Sequence, residues 1–262
     1  MTPPPEAPRY AGYILDLDGT VYLGDELVPG ARDTLAWLRA HGRAVVFLSN
    51  KPLEPSAHYA AKLTRLGIPA RAADVLNSTQ ALIQVLRSEY PGERLFVIGE
   101  PSLWDELSGE GFCLTRNLDE IGIVVAAFDR TLDYAKLNLA HQALVRGAHF
   151  LATNADRTCP VDGGAIPDCG PVIAFLETST GRSVELVAGK PSRAMLDAAV
   201  RRLGVPMQQC LMVGDRLSTD MTMGLNAGMP TALVLSGVTT REQLAASDLR
   251  PTWVLDSIAQ LP

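Results

Sequence analysis

The sequence predicts an α/β protein in which a parallel-sheet core is interrupted by an inserted α/β domain, and three observations carry that prediction. First, the chain opens with apolar runs alternating with helix-period segments: YILDLD, then DTLAWLRAHG, then AVVFLSN, then HYAAKLTRLG. This is a βαβα beginning. Second, the rhythm returns late as VELVAGK, AMLDAAVRRLG, CLMVGD, MGLNAG and TALVLSG, each apolar run stopping at a polar residue or a glycine. Third, the stretch between carries its own strand and helix patterns, LFVIGE, IGIVVAAFD, YAKLNLAHQALVRGA and HFLATN, with its own turn signals. If the outer segments share one sheet, the middle is an insertion with a separate core. The expected boundaries are residues 1–75 for the first part of the core, 76–182 for the insertion and 183–262 for the rest. The proline-rich leader, residues 1–9, reads as a disordered tail.

Composition narrows the function classes. With 262 residues, 47% hydrophobic and 20% charged, the chain can bury a sizeable core. Its formal charge is -6, and no Lys/Arg run supplies the electrostatic footprint of a nucleic-acid binder. Small molecules are the expected partners. Cys113, Cys159, Cys169 and Cys210 form no C-x-x-C pair, which argues against a zinc knuckle and a disulfide framework. No basic and apolar leader is present, and no apolar stretch approaches the roughly 18 residues of a membrane span. A cytoplasmic protein with reduced thiols and no membrane partner is expected. The four histidines lack metal-ligand spacing, and GDRLSTDMTMG lacks the P-loop pattern.

Four expected core strands finish in residues suited to chemistry: Asp16 and Asp18, Ser49 and Asn50, Lys190, and Asp215. The carboxyl ends of parallel strands lie on one edge, so these groups can converge there. In an extended strand Asp16 and Asp18 would point the same way, and a cation or a shared proton must separate them. Asp16 and Asp215 together suit Mg²⁺, a hard cation that takes oxygen ligands while contacting phosphate. A phosphate oxygen held by Lys190 and Ser49 would then let Asp16 attack phosphorus and form an aspartyl-phosphate. Each residue also has a plainer reading. Ser49 and Asn50 can cap a helix beginning near Pro55, and Lys190 can be a solvated lysine before Pro191, a good first helical residue. Asp220 can be a helix N-terminal charge, and Thr153, Asn154 and Asp156 of TNAD a strand-end turn.

The motifs, taken in order, resemble the haloacid dehalogenase superfamily, and within it the NagD-like phosphatases of subfamily IIA, which carry a C2-type cap. DLDGTVYLG fits the first motif, LSN the second, GKP at Gly189 to Pro191 the third and GDRLSTD at Gly214 to Asp220 the fourth. The likeness continues through AAFDRTLDYAKL, HFLATNAD and LVLSGVTT. It implies a Rossmannoid core with an inserted α/β cap, the cap acting as a lid, and hydrolysis of a small phosphorylated metabolite. Asp16 would be the nucleophile and Asp18 the general acid/base. Ser49, with its neighbour Asn50, and Lys190 would bind phosphate. Asp16, Asp215 and the Asp18 carbonyl would hold Mg²⁺, with Asp220 supporting them. TNAD would lie near the substrate, and a homodimer formed cap to cap is compatible with the family. Lys51 and the IPDCG stretch, Ile166 to Gly170, depart from the family pattern and bear on substrate choice. A phosphomutase, a phosphotransferase and a silent phospho-ligand-binding protein remain alternatives; a dehalogenase would need neither Asp18 nor Mg²⁺, and a receiver module would not need the insertion.

Overall fold

The computed structural model describes residues 9–51, 54–161 and 163–262, and these form two compact units. The first unit contains residues 9–49, Ser56–Leu76 and Lys190–Pro262; the second contains the described part of Asn50–Pro55 together with Asn77–Gly189. The leader residues 1–8 lie outside the description. Arg9, the last residue of the expected tail, donates its amide to the Pro262 carbonyl at 3.1 Å and places its guanidinium over Trp253.

A six-stranded sheet organises the first unit. Its order is Trp253–Leu255, Thr231–Val234, Cys210–Gly214, Gly12–Asp16, Ala44–Ser49 and Val75–Asn77. The first five are mutually parallel. The two central strands, Gly12–Asp16 and Cys210–Gly214, are buried at every residue, which is why their sequences read as unbroken apolar runs. Tyr13, Leu15, Phe47, Leu211 and Val213 share a cluster with Leu35 and Leu38 of the helix Ala31–Ala40 and with Tyr59 and Leu63 of the helix Ser56–Arg65. The period-two alternation sends Ile14, Val46 and Met212 to the opposite face. The helix Arg193–Leu203 starts at Ser192, whose hydroxyl accepts the Met195 amide at 3.2 Å, and stops at Gly204 with φ 65°.

The second unit has its own four-stranded parallel sheet, ordered Leu186–Val187, His149–Ala152, Ile123–Ala126 and Leu95–Ile98. Phe96, Val124 and Phe150 pack with Ala140 and Leu144 of the helix Tyr134–Val145 and with Val172 and Leu176 of the helix Cys169–Thr180. A hairpin, Thr158–Val161 with Gly164–Pro167, pairs antiparallel beside this sheet's connections.

The structure moves one expected boundary. Leu186 and Val187 pair in register with Leu151 and Ala152, and the Ala188 and Gly189 amides bond the Ala152 and Thr153 carbonyls. VELVAGK is therefore an edge of the second sheet, and the chain rejoins the first unit at Lys190 rather than at residue 183. Asn50 and Lys51 also group with the second unit, because the Asn50 carbonyl accepts from Ser78 Oγ at 2.8 Å and from Asn154 Nδ2 at 3.3 Å. Among the described residues no helix is long and apolar enough to cross a membrane.

Candidate active site

The site grows from the way the first strand stops. Gly12–Asp16 ends at Asp16, and the Leu17 carbonyl then accepts the amides of Val21 at 2.9 Å and Tyr22 at 3.2 Å, closing a turn. Gly19, at φ +86°, supplies the left-handed residue this turn requires. Asp18 therefore sits half-buried in the turn rather than extended beside Asp16. Ser49 ends the neighbouring strand, where Leu48 lies in register with Asp16, and is buried at the same edge.

Lys190 is 4% exposed, although nothing in its local sequence demands burial. It is not the solvated lysine of a helix start: the side chain is buried, and the helix begins later, at Arg193. Its ammonium donates to Asp16 Oδ1 and, at 2.8 Å, to Asp220 Oδ1. Asp220 lies within a π-helical turn, Leu217–Met221, and its other oxygen accepts the Arg216 amide at 3.1 Å. Such turns widen the backbone enough to aim a side chain inward, and they recur at functional sites. Asp215, one residue past the strand Cys210–Gly214, accepts the Val238 amide on Oδ2 at 2.6 Å. Its Oδ1 is buried and has no hydrogen-bond partner among the described residues.

Glycines make room for these carboxylates. A Cβ on Gly19 would come within 2.5 Å of Asp215 Oδ2, a Cβ on Gly237 would also strike that carboxylate, and a Cβ on Gly214 would strike Asp220. Thus GDRLSTD and LVLSG need their glycines for close approach to charged groups.

The electrostatics are unbalanced. Burial, followed by the charge of Asp220, pushes Asp215 up to about 6. Burial also raises Asp16 well above the usual carboxylate range; the Lys190 charge opposes this, while Asp220 and Asp215 reinforce it. Burial alone would lower Lys190, but the Asp16 and Asp220 carboxylates override it and raise its pKa, so the lysine stays charged. One ammonium thus faces three buried carboxylates, and negative charge is left over. Asp16, Asp215 and Asp220 each bring an oxygen within 4.8 Å of the others. An all-oxygen, anionic donor set with an orphaned Asp215 oxygen fits a hard divalent cation. Asp220, expected to support the metal ligands, lies in the carboxylate cluster itself.

The remaining expected residues belong to the second unit. Asn50 donates its amide to Asp156 Oδ2 at 3.2 Å, and Asn154 Oδ1 accepts the Asp156 amide at 2.9 Å. Asn50 is thus committed to the TNAD loop, where its sequence position suggests a phosphate binder. Neither Ser49 nor Asn50 caps the following helix, which begins at Ser56. Thr153 and Asn154 are fully buried. The same loop meets the departure at IPDCG: the Gly170 amide bonds the Asp156 carbonyl at 2.8 Å, and a Cβ there would lie 2.9 Å from that oxygen. Asp168 caps the helix Cys169–Thr180, accepting the Cys169 amide at 2.6 Å. Burial raises its pKa to about 6; the Asp156 charge adds to this, and the Asn154 amide and Lys51 oppose it. Lys51 and this stretch, separate departures in the sequence, interact at Asp168 through the Lys51 charge.

Residues 13–113 match the model of the haloacid dehalogenase-like hydrolase family, and residues 187–261 match a HAD-hydrolase-like model. Among characterised relatives, the sugar-phosphatase AraL of Bacillus subtilis is 38% identical, with 95% of this chain and 90% of the relative covered. The 5'-nucleotidase YutF of the same organism is 34% identical, with 96% and 97% covered. Among solved structures, 4-nitrophenylphosphatase from Thermotoga maritima superposes with a TM-score of 0.92 at 34% identity, over 97% of this chain and 96% of that one. NagD from Escherichia coli K-12 gives 0.89 at 30% identity, over 97% and 98%.

Proposed function

The chain belongs to the haloacid dehalogenase-like hydrolases, among their NagD-like phosphatases, and from that premise we propose a Mg²⁺-dependent phosphomonoesterase that works through an aspartyl-phosphate. It is a phosphoric monoester hydrolase by family. The observation that carries the finer reading is the buried cluster of three aspartates in which Lys190 pairs with Asp16 and Asp220 while one Asp215 oxygen has no partner among the described residues.

In the reaction proposed, a carboxylate oxygen of Asp16 attacks phosphorus while the bond from phosphorus to the leaving oxygen breaks. Asp18 gives that oxygen its proton and leaves as an anion. Water then attacks the aspartyl-phosphate, Asp18 takes the water's proton, and inorganic phosphate departs with Asp16 restored. Lys190 and the Ser49 hydroxyl bind the phosphate oxygens, and Lys190 stabilises the charge that gathers on them. Lys190 also spans Asp16 and Asp220, so it fixes the rotamer from which Asp16 attacks. Asp16, Asp215 and Asp220, with the Asp18 carbonyl, would hold the cation. When bound, the ion would neutralise the excess carboxylate charge and polarise the phosphate.

The substrate is a small phosphorylated metabolite, with sugar phosphates and nucleoside monophosphates first in line because relatives carry those names. The deciding experiment is phosphate release across a panel of both classes, with Mg²⁺ or EDTA, using Asp16→Asn as control. Release that needs metal and Asp16 supports the reading. Transfer of phosphate to a second hydroxyl without net release would replace it with a phosphotransferase.

A further inference from the structure

The first unit contains a second concave feature, away from the carboxylates. A pocket of about 630 Å³ is lined by four arginines, Arg39, Arg43, Arg71 and Arg202, and by a single acid, Asp74. It begins where the strand Ala44–Ser49 begins, with Ala44 and Val45 in its wall, whereas the catalytic edge lies at that strand's other end. In register, Gly12 faces Ala44 and Asp16 faces Leu48. At about 3.3 Å per residue, roughly 13 Å of strand separates the two levels.

The pocket reverses the sign of the chain. The protein carries a net charge of -6, yet here arginine outnumbers acid by four to one. Two of the arginines are held by the fold: Arg71 pairs with Asp74 at 3.2 Å, and Arg202 donates to the Val75 carbonyl at 2.5 Å. Arg39 and Arg43 have no ion pair among the described residues. The Arg43 Nε is buried and reaches no acceptor among them, a costly state for a charged donor. Helix capping does not account for the set. Arg39 and Arg202 stand in last helical turns, where cations are favoured, and Arg71 is the N-cap residue of the short turn Ala72–Asp74, but Arg43 has no such place.

We propose that this pocket is a binding site for a small anion bearing more than one phosphate group, distinct from the catalytic cluster. Guanidinium forks match phosphate oxygens and bind them in charge-assisted pairs. The donors arrive from four places: the end of the helix Ala31–Ala40, the turn after it, the loop before Asp74 and the end of the helix Arg193–Leu203. A tetrahedral oxyanion offers oxygens in several directions and meets such an arrangement, while a flat carboxylate faces one fork at a time. More than one phosphate is needed to balance the excess positive charge. Pro69 and Leu203 give the wall an apolar part, which suits an organic body on the anion.

Inorganic pyrophosphate is the probe, titrated calorimetrically in EDTA at fixed ionic strength against the wild-type chain, Arg39→Gln/Arg43→Gln and Lys190→Gln. Binding to Lys190→Gln, which has lost the catalytic ammonium, is expected to persist. Arg39→Gln/Arg43→Gln is expected to bind at that site at least about tenfold more weakly, with its pyrophosphate-free turnover unchanged. Equal affinity in that double variant, or loss of all binding in Lys190→Gln, overturns the proposal. A second readout needs no variant: the ¹⁵N-labelled Arg43 Nε resonance should shift with pyrophosphate and not with chloride. A stationary resonance also overturns it.

Discussion

Lys136 against Asp129 in the second unit and Lys190 against Asp16 in the first are both ammonium–carboxylate pairs withdrawn from water. They are completed differently. Asp129 is fully provided for: Oδ1 accepts the Thr131 amide at 2.8 Å and the Thr131 hydroxyl at 2.6 Å, and Oδ2 accepts Lys136 at 2.6 Å. Lys136 also reaches the Thr131 hydroxyl and carbonyl, so one cation and one anion close a loop with nothing left over. Around Lys190 the account stays open, with three carboxylates, one ammonium and an oxygen of Asp215 that has no partner among the described residues. A saturated pair holds a loop in place; an unsaturated one retains the capacity to take a ligand.

Four measurements break or sharpen this contrast. The largest effect is expected from Asp16→Asn, which should lower kcat/KM by at least about a thousandfold while circular dichroism and the unfolding transition stay near wild type. Near-normal turnover in a folded Asp16→Asn protein would remove Asp16 from the chemistry. Next is Lys136→Met, which strands the buried Asp129 charge and should cost about 3 kcal/mol in urea unfolding, with the Mg²⁺ dependence of the remaining activity unchanged. If that dependence moved instead, the two pairs would not be separate in role.

Asp215→Asn should act in opposite directions on rate and stability. In the folded protein Asp215 holds its proton up to about pH 6, against an ordinary value of 3.8. The unfolded chain therefore binds fewer protons between those values, and stability falls as pH rises through that window. In EDTA at pH 8, removing the charge should add about 2 kcal/mol; at pH 3 it should add nothing. The same substitution should weaken the response to Mg²⁺ and slow turnover. The smallest effect belongs to Asp168→Asn. Asp168 is raised over the same window, to about 6. Because the Cys169 amide, Asn154 and Lys51 favour the anion, the expected gain at pH 8 is only about 1 kcal/mol, and asparagine still caps the helix. A loss of stability at pH 8 would mean the Lys51 charge outweighs burial there.

Much of the site was legible where a strand and its terminal residue share one short segment. YILDLD, AVVFLSN and CLMVGD each show an apolar run that stops at a polar group, and parallel strands bring such ends to one edge of the sheet, where these groups are buried together. What escaped was decided by contacts far apart in sequence. VELVAGK reads like any other parallel strand, and only the partnership of Leu186 and Val187 with His149–Ala152 assigns it to the second sheet. Asp220 reads as support for the metal site through the family resemblance, and no local pattern announces the π-helical turn that sets it among the other two carboxylates. The arginine pocket had no signature at all: Arg39, Arg43, Arg71 and Arg202 form no run, and the fold alone collects them. Lys51 and the stretch holding Asp168 are visible as departures, but the charge interaction between them is not.

The central strand has a consequence for how the protein is made. Gly12–Asp16 lies between Ala44–Ser49, synthesised soon afterwards, and Cys210–Gly214, synthesised nearly two hundred residues later. Asn77–Gly189, contiguous in the chain, can condense on its own as it leaves the ribosome, while the first sheet waits with one edge open. Asp16, the proposed nucleophile, is translated early, while Lys190, Asp215 and Asp220 come last. On the proposed mechanism a nascent chain turns nothing over until the final third has emerged, and truncation within that third should yield a folded insertion with an exposed, aggregation-prone half-sheet.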